Sequence, residues 1–155
     1  MIIMKKVFAI LAGLLVFAAA ASAQSRALGV RAGLSGVEVS YQQSFGTPNF
    51  LEMDLGATFR SGVTGISLMA AYDFVFASAN NWNFYAGPAA GLCFVKVQDA
   101  GSAVVPAVGG QVGIEYVIPG APLNFSLDYR PMLVYSSGNA AFSSADIALG
   151  IRYRF

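Results

Sequence analysis

The sequence predicts an all-β chain: an eight-stranded antiparallel up-and-down transmembrane β-barrel that follows a cleaved N-terminal signal peptide. Three observations carry this. Long stretches alternate apolar and polar residues with a period of two, the mark of a strand with two unlike faces. In the last eleven residues, Ala145 to Phe155, every odd position is apolar or aromatic and every even one is charged or small. Hydrophobic residues make up 56% of the chain and charged ones 11%, against about 25% charged in ordinary soluble proteins. Yet past the N-terminus there is no run of the about 20 apolar residues that a spanning helix needs. A closed barrel is the other way for so apolar a chain to cross a membrane. Finally, the charges keep to one phase of the alternation.

The N-terminus stands apart. Lys5 and Lys6 precede the apolar run Val7 to Ala20, and Ala21-Ser22-Ala23 follows as a small-x-small triplet. This is the pattern of an export signal. Residues 1–23 are expected to be the signal peptide, cut between Ala23 and Gln24, and 24–155 the barrel. Without Lys5 and Lys6 the basic residues fall from nine to seven against eight acids, a net charge of −1. No basic excess is left to attract nucleic acid. The single cysteine, Cys93, excludes an intramolecular disulfide, and there is no histidine.

Eight alternating segments follow in order. They run over 28–34, 37–42, 51–60, 66–74, 82–94, 108–116, 123–133 and 145–155. Their length of about ten residues suits a tilted membrane strand. Gly46-Thr47-Pro48-Asn49, Ser78-Ala79-Asn80-Asn81 and Pro119-Gly120-Ala121-Pro122 are turns by their chemistry. Loops are expected at 35–36, 61–65, 97–102 and, longest, 135–144. An even strand count puts both mature termini and the three turns on the periplasmic side. Pro88 and Pro131 fall inside segments and predict bulges or gaps in the ladder; Pro106 is placed above the membrane.

The charges decide which face is inside. Twelve of the fifteen mature charges fall in the polar phase: Arg31, Glu38, Glu52, Asp54, Arg60, Asp73, Glu115, Asp128, Arg130, Asp146, Arg152 and Arg154. The other three, Arg26, Lys96 and Asp99, are assigned to tail or loop. The apolar phase holds about half of the strand residues, too many large side chains for the interior of eight strands. The apolar face therefore meets lipid and the charges form an interior network. An outward Arg or Lys at mid-membrane would cost about 2–4 kcal/mol. Aromatics in the apolar phase cluster near strand ends: Phe45, Phe74, Trp82, Phe84, Tyr116, Phe125, Tyr153 and Phe155 at the terminal end, Phe59 and Phe94 at the other. That is the girdle expected at membrane interfaces. All inward basic residues are arginine, whose fork pairs with carboxylates in a confined core.

On these residues the chain resembles the small eight-stranded outer-membrane barrels of Gram-negative bacteria, the OmpA/OmpX/opacity type. The resemblance rests on the signal sequence, Ile151-Arg152-Tyr153-Arg154-Phe155, Trp82-Asn83-Phe84-Tyr85-Ala86-Gly87 and Asp128-Tyr129-Arg130-Pro131. It implies an integral place in the outer membrane, a monomer surrounded by outer-membrane lipid, and the barrel-assembly machinery as a partner that reads Tyr153 and Phe155 as a signal.

For function, the leading expectation is a non-enzymatic envelope protein with a salt-bridged polar interior, acting in envelope structure or in surface interaction through the segment 135–144. A narrow ion or small-solute channel, porin-like, is the alternative. A lipid-modifying enzyme is a weaker one: enzymes of that architecture use a histidine base, and the loop serines 136, 137, 143 and 144 have only Asp146 nearby. No catalytic, metal or cofactor site is expected. Gly109-Gly110 with Gly113 lies in a strand with no helix after it, unlike a phosphate loop.

Overall fold

The computed structural model describes residues 25–144 and 146–155, the side chains of Phe59 and Arg60 excepted. The expected signal peptide and its cleavage point, Ala23 and Gln24, lie outside the described residues. Ten β segments are present: β1 (Arg26–Gly33), β2 (Gly36–Ser44), β3 (Phe50–Arg60), β4 (Val63–Ala79), β5 (Trp82–Val97), β6 (Gly101–Val117), β7 (Leu123–Tyr129), β8 (Met132–Ser136), β9 (Asn139–Ser143) and β10 (Ile147–Arg154).

They make eight barrel strands, because two strands are interrupted. β7 and β8 pair with β6 in one register, Val112 with Tyr129 and Gly109 with Met132. Arg130 and Pro131 are thus a gap within a single strand, where proline has no N–H to give. β9 and β10 form the other. Met132 opposes Ser143, while Tyr129 opposes Ile147 and the Arg130 N–H donates to the Asp146 carbonyl at 2.9 Å. Between these points the last strand holds one residue more than its partner, a β-bulge. The extra residue reverses the phase: Ile147, Leu149 and Ile151 face out below the bulge, and Phe142 faces out above it. All neighbours are antiparallel. β10 pairs with β1, Ala27 with Arg154 through Gly33 with Ala148, and β5 pairs with β6, so the sheet closes.

The strands run farther than the alternation indicates. β4, β5 and β6 are 17, 16 and 17 residues long, whereas β1 and β2 are 8 and 9. The loops expected at 61–65 and 97–102 shrink to turns at 61–62 and 98–100. The long loop expected over 135–144 is instead a hairpin, β8 and β9, joined by Ser137 and Gly138 at φ 51 and 80. Two consecutive positive φ values make the tight turn that matches strand twist. Arg26 opens β1 and Lys96 lies in β5 near its tip, rather than in tail or loop. Pro106 stays within β6 opposite Leu92. The β4–β5 pairing lapses opposite Pro88, between Ala71–Ala89 and Phe74–Ala86, and a bulge follows between Val75 and Ala77.

The burial is inside out relative to a water-soluble barrel. Twenty-seven large apolar side chains of the described residues are exposed, Leu149 and Phe76 by about two thirds, while sixteen polar or charged residues are buried. In water, each exposed Leu, Ile or Phe would forgo roughly 1.5–3 kcal/mol of burial. The girdle residues Phe45, Phe74, Trp82, Phe84, Phe125, Tyr153 and Phe155 are among the exposed, joined at the opposite end by Phe94, Tyr135 and Phe142. The small inward residues of β5 and β6 make room for bulk. A side chain at Gly113 would strike the ring of Tyr85, and one at Gly91 would strike the sulfur of Met69.

Candidate functional site: a charged core between two vestibules

The alternation that sends apolar residues out sends three arginines in. Arg31 stands on β1, Arg152 on β10, and Arg130 at the gap between β7 and β8; each is at most 1% exposed. Glu38 on β2, Glu52 and Asp54 on β3, Asp73 on β4, Asp128 on β7 and Asp146 at the bulge are buried around them.

Each arginine is held by a different set. The Arg31 guanidinium donates to Glu38 Oε2 at 2.6 Å, to Asp128 Oδ1 at 2.8 Å from Nε, and to Asp146 Oδ2 at 3.2 Å. Arg130 donates from Nε to Gln111 Oε1 at 2.6 Å and from Nη2 to Glu52 Oε1 at 3.0 Å, and it also pairs with Asp54. Its Nη1 lies 3.7 Å from Glu38 Oε2, an ion pair too long to be a hydrogen bond. Arg152 donates to Ser40 Oγ and Ser126 Oγ, both at 2.8 Å, and to Glu52 Oε2 at 2.9 Å. Glu52 is the hub. It accepts from Arg130, Arg152, Gln111 at 3.2 Å and Gln42 at 3.0 Å.

Burying an ion costs several kcal/mol unless its hydrogen-bonding capacity is met. Three buried arginines cannot meet every carboxylate; neutral groups take up part of the rest, and one oxygen each of Asp54, Asp73 and Asp128 is left without a hydrogen-bond partner among the described residues. Gln111 donates to Asp73 Oδ2 at 2.9 Å. Asn124 and Asn83 donate to the two oxygens of Glu115 at 2.7 and 3.0 Å. Of the two arginines of the closing strand, only Arg152 reaches a described carboxylate, that of Glu52. Arg154 is half-buried at the terminal mouth, and no described carboxylate pairs with it. The Arg60 side chain lies outside the described residues. The neutral partners Ser40, Gln42, Gln111, Asn124 and Ser126 were not singled out from sequence. All five stand in the inward phase, which is the signal that could have found them.

The core separates two vestibules. The terminal one, about 400 Å³, is lined by Gln42, Thr47, Asn83, Glu115, Asn124 and Arg154 among others. The distal one, about 150 Å³, is lined by Met69, Ala107, Met132, Val134, Glu38 and Asp146 among others. Between them Arg31, Arg130, Arg152, Glu52 and the fully buried Tyr85 fill the bore. Chemically the arrangement is a fixed plug in which three arginines bridge a larger set of buried carboxyl groups. Asp146, the acid nearest the serine-rich segment, is held by Arg31 and by the Ser35 hydroxyl at 2.5 Å. Among the described residues no three His, Cys, Asp or Glu side chains converge as a metal site would require.

No family model and no curated protein matches the sequence. Solved structures share the fold. The chain superposes on Neisserial surface protein A (NspA) with a TM-score of 0.61 at 14% identity, over 85% of this chain and 94% of that one. A major outer membrane protein from Thermus thermophilus aligns more loosely, with a TM-score of 0.44 at 14% identity over 86% of this chain and 100% of that one. The fold is that of a small outer-membrane β-barrel.

Proposed function

We propose that this protein is an integral outer-membrane barrel without enzymatic activity, closed by its arginine–carboxylate core and serving envelope structure or surface interaction. One observation carries the reading: the exterior is apolar around the barrel while the buried charges converge on one another inside. Only a hydrocarbon solvent makes that arrangement favourable, since it removes the cost of the exposed apolar side chains and makes outward charge expensive. In this reading the mature termini face the periplasm, the 137–138 hairpin faces outward, and lipid surrounds a monomer. Export uses residues 1–23 as a cleaved signal, and the assembly machinery engages Tyr153 and Phe155, both outward on the closing strand.

Planar-bilayer recording on the refolded protein tests the plug. The expected result is no steady ion flux, with conductance emerging in Arg130→Ala, which removes the side chain that bridges β3 and β6 across the bore. Steady flux through the unaltered protein would favour the channel reading. Membrane fractionation of cells expressing Tyr153→Ala/Phe155→Ala tests assembly: the variant should be depleted from the outer membrane, and undiminished levels would count against the signal.

A further inference from the structure

β9 has a neighbour on one side only. It pairs with β8 from Met132–Ser143 to Ser136–Asn139, and no described strand pairs with its other edge. β1 would be that neighbour, but it ends at Gly33, opposite Ala148 and below β9. β2 begins only at Gly36, and Thr58, Phe59 and Arg60 of β3 pair with β4 alone. The distal wall therefore has a notch where β1 and β2 stop short. The β1–β2 turn is its sill, and the edges of β9 and β3 are its sides.

The edge of β9 is an open template. The two-residue turn makes Ser136–Asn139 a hydrogen-bonded pair, and such pairs alternate along an antiparallel ladder. The N–H and C=O of Ala140 and Phe142 therefore point away from β8, into the notch. All five residues, Asn139-Ala140-Ala141-Phe142-Ser143, are exposed. Edge strands are commonly blunted by charge or proline; this segment carries neither. Beside it opens the distal vestibule, whose lining includes Met69, Ala107, Met132 and Val134.

We propose that the notch receives an extended peptide segment, which adds to β9 as a further strand and directs alternate, apolar side chains into the distal vestibule. Main-chain chemistry selects this occupant: alternating donors and acceptors are matched by another strand and left unmet by an acyl chain. A second copy in the same membrane does not fit. Its two-fold axis would run along the membrane normal, whereas antiparallel pairing of two β9 edges needs an axis perpendicular to the barrel wall. The membrane placement proposed above enters in the exclusion of a second copy and in the side from which the peptide arrives.

The test uses the full barrel refolded in detergent micelles. The probe is a synthetic peptide of alternating valine and threonine, because main-chain pairing demands no particular sequence. Saturable binding is expected, with a carbon-13 carbonyl label in the peptide shifting to a sheet amide band. Ala140→Pro removes a notch-facing N–H without removing a β8–β9 bond and should weaken binding about tenfold or more. N-methylating every amide of the peptide should abolish binding to the unaltered barrel, which keeps the test valid should Ala140→Pro not fold. No saturable binding, or binding indifferent to both changes, overturns the proposal. Indifferent binding that a lysophospholipid displaces overturns it in favour of an acyl-chain site. Peptide binding that persists while the barrel fails to insert into vesicles supports this proposal and defeats the membrane placement instead.

Discussion

Two sides of the barrel interior are held in different ways. On the side of β1 to β3, β7 and β10 stand the three arginines with Glu38, Glu52, Asp54, Asp128 and Asp146. On the side of β4, β5, β6 and β8 stand Met69, Ala71, Ala89, Ala107 and Met132, a small apolar cluster. The first side is directional. Each guanidinium has fixed acceptors, and a slip of one residue would turn it into lipid. The second is forgiving, because dispersion contacts among Met and Ala tolerate small changes of shape. The ionic side fixes register, and the apolar side leaves room for the distal vestibule.

The contrast can be broken most severely at the closing strand. Deleting Gly150 should reverse the phase of one half of β10 against the other, sending Arg152 outward or Leu149 inward, and abolish folding. Gel mobility and circular dichroism after refolding would show no barrel, and a normal barrel would refute the assigned phase. Next comes the hub. Glu52→Leu strands Arg130 and Arg152 without their shared acceptor and should cost about 3–5 kcal/mol in urea unfolding; Glu52→Gln should cost less, since its carbonyl still accepts. On the apolar side, Gly113→Val drives a side chain into Tyr85 and should cost about 1–3 kcal/mol. The smallest effect is expected for Met132→Leu, under about 1.5 kcal/mol. Equal losses for Glu52→Leu and Met132→Leu would erase the distinction between the two sides.

The alternation made most of this fold legible. From Val37 to Tyr129 the apolar and polar phases translate directly into outward and inward faces. It failed where both phases are small. Asn139-Ala140-Ala141 and Ser143-Ser144-Ala145 carry no contrast, so a strand reads as a loop and the bulge that reverses the phase leaves no mark. Partners within the core were also hidden. Arg31 meets Asp128 across 97 residues and Arg130 meets Glu52 across 78. Those meetings depend on closure and register, which no local pattern encodes. The resemblance agreed with the architecture read from the alternation, and nothing in it identified Glu52 as the hub.

The pairing of Ala27 with Arg154 joins the first strand to the last. It sets a schedule for the molecule's birth. A barrel whose seam lies between its first and last strands cannot finish closing until the last of them has been synthesised and delivered. Until then the edges of β1 and β7 are unpaired, Arg31 lacks Asp146 and Glu52 lacks Arg152, and the loop-closure entropy of nearly the whole barrel is still to be overcome. The last strand is therefore the latch of the barrel.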